Sequence, residues 1–234
     1  RAGSGPMAIA RSLLFNLCLW LWTLLMLLAA LPWLALPPRW MLAHSRVWMR
    51  GVQLLLSRIV GLDHEVRGRE HQNAVAIFAF KHQSAWETLA IHLLLDGAAI
   101  ALKRELTRIP LFGWCLVHAG MIGIDREGGA RALRRLIEEG RAALARGAPI
   151  VIFPEGTRVP HGEVHELKSG FAGLYKLLAL PVVPVAVNSG PLYHRWIKRP
   201  GAITYRFGEA IPPGLPRDEA ERRVLSAINV LNQP

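Results

Sequence analysis

Ala74-Val-Ala-Ile-Phe-Ala-Phe80 runs straight into Lys81-His82-Gln83-Ser84-Ala85-Trp86-Glu87, so a short apolar run stops at a polar loop and passes into an amphipathic stretch. This strand-then-helix texture recurs along the chain. Working outward, further strands are expected at 98–102, 121–124, 149–153, 182–187 and 202–207, with helices near 85–95, 129–146, 170–180 and 217–231. Alternation of this kind predicts an α/β fold with a largely parallel central sheet flanked by helices. No internal repeat or low-complexity linker interrupts it. In such sheets ligands gather at the carboxyl ends of the strands, so the residues just after each strand come first. Two segments qualify: Lys81 to Glu87, and Phe153-Pro-Glu-Gly-Thr-Arg158.

His82 and Glu87 are five apart, about 140° from each other on one continuous helix, which would keep them from touching. Ser84-Ala-Trp-Glu87 has the spacing of a capping box, which places Ser84 at the N-cap, Glu87 in the first turn and His82 in the loop before it. From there His82 can fold back over the helix start and donate one ring nitrogen to the Glu87 carboxylate. The positive end of the helix dipole favours neutral imidazole. A neutral imidazole oriented by a carboxylate is what deprotonating a substrate alcohol requires. Glu87 has a competing role as the N3 member of the capping box alone. Ser84 is a possible internal nucleophile, but no Gly-x-Ser-x-Gly elbow surrounds it and capping already explains it.

Phe153 to Arg158 joins a hydroxyl, a glycine and a guanidinium at a strand end, a composition suited to gripping phosphate. Lys103-Arg104 follow a second strand and Asp125-Arg126 a third. In a parallel sheet these cations converge on the rim that holds His82; the alternative for each is an ordinary solvated loop charge.

The first sixty residues differ in texture. Residues 13–31 are 19 positions without a charge, with Asn16 and Thr23 the only polar ones; as helix they reach roughly 28 Å, about one hydrocarbon core. A secretory signal peptide would be shorter and would carry a small-x-small cleavage site, which does not follow before Pro37-Pro38. A second helix is expected at 39–60. Its Arg39, Arg46, Arg50, Gln53 and Ser57 fall in one narrow stripe, the pattern of a helix in the membrane interface; packing on the following domain is the alternative. Residues 1–62 are therefore expected to anchor in membrane as a two-helix motif and 63–234 to form the α/β domain. The opening Arg1-Ala-Gly-Ser-Gly-Pro6 reads as a cloning remnant ahead of a native start at Met7.

The whole-chain balance agrees. At 234 residues there is room for one compact unit and an appendage. Hydrophobic residues make up 52%, and 28 Lys and Arg outnumber 17 Asp and Glu, which favours a membrane over nucleic acid as partner. The first acid is Asp63, so the residues before it are basic and apolar, drawn to anionic lipid. Cys18 and Cys115 lie far apart, with no disulfide framework or thiolate metal site, which fits a reducing, cytoplasmic setting.

These motifs resemble those of the glycerophospholipid acyltransferases, the 1-acylglycerol-3-phosphate acyltransferases in particular, over residues 60–210. His82-x-x-x-x-Glu87 is similar to the family's His-x-x-x-x-Asp, with Lys81 in place of the commoner Asn and Glu87 in place of Asp. Lys103-Arg-Glu-Leu106 and Gly120 to Arg126 resemble the second motif, Phe153 to Arg158 the third, and Val182 to Val185 the apolar fourth. The resemblance implies direct acyl transfer from a thioester to the sn-2 hydroxyl of lysophosphatidic acid, giving phosphatidic acid. His82 with Glu87 would be catalytic, and Lys103, Arg126, Glu155, Gly156, Thr157 and Arg158 would bind substrate. It implies no metal or nucleotide cofactor. The donor would be an acyl carrier protein or coenzyme A thioester, and the setting a bacterial inner membrane with the catalytic domain on its cytoplasmic face. Competing expectations are acylation of another lyso-lipid (a lyso-ornithine lipid or lysophosphatidylglycerol), a non-catalytic membrane lipid-binding protein, and a serine hydrolase acting through Ser84.

Overall fold

The computed structural model describes residues 5–72, 75–125 and 128–232. Ala74 and Arg126, and residues 1–4 of the opening segment, lie outside the described residues. Seven strands form one sheet: β1 (Leu62–Arg67), β2 (Ile77–Phe80), β3 (Ala99–Lys103), β4 (Ile122–Ile124), β5 (Ile150–Ile152), β6 (Val182–Val187) and β7 (Gly201–Phe207), in the order β1-β7-β6-β2-β5-β3-β4. β6, β2, β5, β3 and β4 run parallel. β7 turns antiparallel to β6, and β1 joins β7 in parallel. The fold is α/β with a mostly parallel sheet, and the five parallel strands bring their carboxyl ends to one rim.

The helices are α1 (Pro6–Ala29), α2 (Pro38–Leu55), α3 (Trp86–Leu94), α4 (Phe112–His118), α5 (Gly129–Ala145), α6 (Ser169–Leu178) and α7 (Arg217–Ile228). They cover both sheet faces, as the alternation of side chains along a strand requires. Phe78 and Phe80 of β2 point to the face covered by α1, α2 and α3, packing with Phe15, Met49, Val52 and Trp86. Ile77 and Ala79 point to the opposite face, with Leu136 of α5, Leu174 of α6 and Val224 of α7. The N-terminal helices thus share a core with the sheet. Of the two positions open for α2, its buried side, Met41, Met49 and Val52, packs on the domain, while Trp40, Val47 and Leu54 are exposed.

Pro6–Ala35 is long and apolar enough to cross a membrane. Past the exposed Arg11 its polar side chains turn inward. Asn16 accepts from Lys198 Nζ at 2.7 Å and Thr23 Oγ1 accepts from Trp48 Nε1 at 3.1 Å. The outward face is left with Leu13, Leu17, Trp20, Leu21, Leu24 and Leu28, all exposed. An apolar face of that extent has no favourable contact with water and marks a membrane surface. The chain then breaks where Pro32 and Pro37-Pro38 remove backbone donors: residues Leu31–Ala35 form a 3₁₀ turn, and Pro38 starts α2.

Two elements were not foreseen. β1 carries Asp63, His64, Glu65 and Arg67, too polar to read as a strand, because it is the sheet edge and only alternate residues are covered. α4 is two turns long and carries no sequence period that distinguishes it from loop. The remaining strands and α3, α5, α6 and α7 keep their expected boundaries to within three residues, with residues 75 and 76, for example, lying before β2 rather than in it, whereas α2 ends at Leu55 and Leu56–Val60 continue as a π-helical turn.

Candidate active site

The site is built where β2 ends. Lys81, His82, Gln83 and Ser84 are all buried, although no residue type among them is apolar. Burial of so many polar groups requires partners. The Lys81 N–H continues the ladder to Val185 O at 2.9 Å. Its ammonium meets Glu155 Oε1 at 2.6 Å, and Nζ also donates to Glu163 O at 3.2 Å. The His82 N–H donates to Glu155 Oε2 at 3.3 Å, and the His82 carbonyl accepts the Val159 N–H at 2.8 Å. The loop after β5 therefore clamps the His82 backbone from both sides. Phe153 backs the imidazole with ring centroids 4.2 Å apart.

α3 begins one residue later than the capping box places it. Ala85 adopts αR geometry (φ −75°, ψ −18°) and precedes the first helical residue, Trp86, whose N–H donates to Ser84 Oγ at 3.1 Å. Glu87 still reaches back. Its carboxylate accepts the Ser84 N–H at 3.0 and 3.1 Å and the Gln83 N–H at 3.3 Å. His82 Nδ1 stands 3.5 Å from Glu87 Oε2, ion-pair range without a hydrogen bond's alignment, and has no other partner among the described residues. One side chain thus caps the helix and faces the imidazole.

Residues outside the expected set complete the site. Ser189, buried just past β6, donates its hydroxyl to Glu87 Oε1 and lies 2.9 Å from Ser84 Oγ. β6 neighbours β2 in the sheet, which is what brings Ser189 to Glu87. Gln83 accepts the Gly190 N–H at 2.9 Å and donates to Asn232 Oδ1 at 3.0 Å. Asn232 in turn accepts the Gly162 N–H at 2.8 Å and donates to Glu163 O at 2.6 Å, so the C-terminal end stitches the loop that follows Arg158. Ser189 was findable as a polar residue after a strand; Asn232 had no local signal. Behind Glu87, burial and the nearby carboxylate push the phenols of Tyr193 and Tyr205 up, keeping both neutral; Arg158 opposes this at Tyr193.

The expected substrate residues divide. Glu155 is buried and its carboxylate is turned inward on Lys81 and the His82 N–H. Gly156 sits at φ +70° beneath Lys168, whose Cγ an added Cβ would approach to 2.7 Å, so glycine is required. Thr157 and Arg158 are exposed on the same loop. Lys103 is exposed at the end of β3, with Glu105 at 3.7 Å. Arg126 lies outside the described residues. Beside the loop a cavity of about 510 Å³ opens between the starts of α5 and α6, lined by Leu102, Ile124, Phe153, Gly156 and Lys168.

The family model described as Acyltransferase matches residues 63–188, which hold the loops after β2, β3 and β5. A 1-acyl-sn-glycerol-3-phosphate acyltransferase of Pseudomonas aeruginosa is 36% identical over 189 residues, covering 80% of this chain and 71% of that protein. One of Cocos nucifera is 29% identical over 192 residues, covering 80% and 60%. The crystal structure of the 1-acyl-sn-glycerophosphate (LPA) acyltransferase of Thermotoga maritima has the same fold, with a TM-score of 0.75 at 24% identity over 96% of this chain and 97% of that one. With its rim-mounted His82 and Glu87 inside the matched region, the chain belongs to the acyltransferase family.

Proposed function

We propose that the protein transfers a fatty acyl group from a thioester to the sn-2 hydroxyl of lysophosphatidic acid, giving phosphatidic acid. The observation that carries this reading is the His82 imidazole, held at the sheet rim with Nδ1 3.5 Å from the Glu87 carboxylate. The opposite ring nitrogen, Nε2, takes the proton of the acceptor hydroxyl as its oxygen attacks the thioester carbonyl. The tetrahedral adduct collapses, the C–S bond breaks, and the imidazolium returns the proton to the departing thiolate. Glu87 holds the ring and offsets the imidazolium charge. No protein nucleophile enters, and Ser84 is occupied with Trp86 and Glu87.

Arg158 and Thr157, with Lys103 and Arg126 in support, take the acceptor's phosphate. Glu155 serves the acceptor at one remove, by fixing Lys81 and the His82 backbone. Residues 1–62 supply the anchor and 63–234 the catalytic domain, seated on the cytoplasmic face of a bacterial inner membrane. An acyl carrier protein or coenzyme A presents the donor from the aqueous side.

The test is thiol release from acyl-carrier-protein and acyl-coenzyme-A thioesters by detergent-purified protein, with and without lysophosphatidic acid. Release that requires the acceptor, yields phosphatidic acid and disappears in His82→Ala is the expected result. Equal release with and without acceptor would point to a hydrolase; activity confined to a lyso-lipid lacking the phosphomonoester would move the substrate.

A further inference from the structure

The α/β domain carries an exposed apolar patch that the anchor helices do not explain. Trp114 and Val117 project from α4 one turn apart, and Ile109 lies just before it; all three are exposed. α4 is tied to the N-terminal region, since His118 Nε2 lies 2.8 Å from Leu36 O. Around that junction Leu31, Leu36 and Trp40 are exposed too, and they lead on to the bare apolar face of α1. A single isolated apolar side chain on a surface is ordinary, but a run that continues an existing membrane face is not.

Beside the patch is a positively charged hollow. A cavity of about 420 Å³ is lined by Arg104, Arg108, Arg135, Arg146 and Glu139, and by Val117 from the apolar patch itself. Arg135 is neutralised by Glu139 at 2.5 Å and Arg104 faces Asp125 at 3.8 Å. Arg108 and Arg146 have no carboxylate partner among the described residues. Concentrating guanidinium groups in one hollow is unfavourable unless an anion comes between them, and a guanidinium fork matches phosphate. Aromatic and apolar side chains next to arginines at one level are the composition of a membrane interface.

We propose that α4 and this arginine hollow form a second lipid contact, made by the catalytic domain itself: Ile109, Trp114 and Val117 enter the acyl boundary, and Arg108 and Arg146 take the phosphate of an anionic phospholipid headgroup. The inference rests on the membrane reading of α1. It would fix the tilt of the domain, so that the sheet rim stays at the depth where a lysolipid presents its hydroxyl.

The experiment uses the full chain with Cys18 and Cys115 replaced by serine and one new cysteine, at Trp114→Cys, Leu21→Cys on α1, or Arg222→Cys on α7, each checked for retained acyl transfer. The cysteine carries an environment-sensitive fluorophore, read in phosphatidylcholine vesicles with or without phosphatidylglycerol and with nitroxide-labelled lipid as quencher. Expected is quenching at 114 comparable to that at 21, none at 222, and quenching at 114 that rises with phosphatidylglycerol and loses that rise in Arg108→Gln/Arg146→Gln. Quenching at 21 but not at 114 would overturn the second contact and leave the anchor standing. No quenching at either site would overturn the membrane reading beneath it. If the arginine pair instead raises the KM for the thioester donor in detergent and leaves quenching at 114 unchanged, the hollow belongs to the donor and the headgroup assignment falls.

Discussion

The ammonium of Lys81 and the carboxylate of Glu155 lie 2.6 Å apart with both side chains fully buried, and the other oxygen of the same carboxylate receives the His82 N–H. A buried pair of this kind costs desolvation on both sides, so its net contribution to stability is small, whereas one partner left alone is expensive. Lys81→Met is therefore expected to lower stability by about 3–5 kcal/mol. Lys81→Met/Glu155→Leu should recover most of that loss yet remain slower than wild type, because nothing then receives the His82 N–H. Thermal unfolding beside kcat checks it; full activity in the stable double variant would make the pair purely structural.

Glu87→Gln separates capping from catalysis. The amide oxygen can still accept the Ser84 N–H, while the charge facing His82 is lost. Stability should stay within about 1 kcal/mol of wild type while kcat falls ~10²-fold or more. Stable protein with wild-type turnover would reduce Glu87 to a cap.

Ser189 acts through Glu87, so Ser189→Ala should lower kcat about tenfold, the equivalent of one hydrogen bond of about 1–1.5 kcal/mol, with little change in the KM of either substrate. Ser189→Thr retains the hydroxyl and should restore most of the rate. A threonine variant as slow as the alanine one would show that packing beside β6, not the hydroxyl, matters.

Arg158 stands exposed at the rim with no carboxylate partner among the described residues, ready for an anion. Losing a charge-assisted contact worth about 1.5–3 kcal/mol should raise the KM for lysophosphatidic acid ~10- to 100-fold in Arg158→Ala, with kcat changed far less. An unchanged KM would place the phosphate grip elsewhere on the rim.

His92 lines the apolar cavity between α2 and α3, where burial first and then the Arg46 guanidinium lower its pKa to about 4, with Asp96 opposing. The unfolded chain takes up this proton as pH falls below about 6.5 and the folded chain does not until about 4. Stability contributed by the neutral ring is thus complete above about pH 6.5 and is lost on acidification through that window, by at most about 3 kcal/mol. His92→Gln should flatten the decline of the unfolding midpoint between pH 6.5 and 4; parallel curves for the two proteins would contradict the assignment.

What the sequence determined by itself was whatever a short window can encode. The apolar runs that became β2, β3, β5 and β6, the proline break between α1 and α2, and the reach of Glu87 back to Ser84 all follow from neighbours within a few residues, through side-chain period, missing donors and capping. The rule that sites gather at strand ends then pointed to His82 and to the loop of Arg158 without any knowledge of strand order. Only the tertiary structure decided what those residues meet. That Lys81 pairs with Glu155, that Ser189 holds Glu87, and that Asn232 bonds Gln83 from 149 positions away depend on the order β6-β2-β5 and on the return of the chain end. β1 was hidden for the same reason: a polar edge strand has no pattern of its own and is a strand because β7 lies beside it. Local geometry is written in adjacent residues, while the choice of a partner across the sheet is settled by burial of the whole core, which no single window contains.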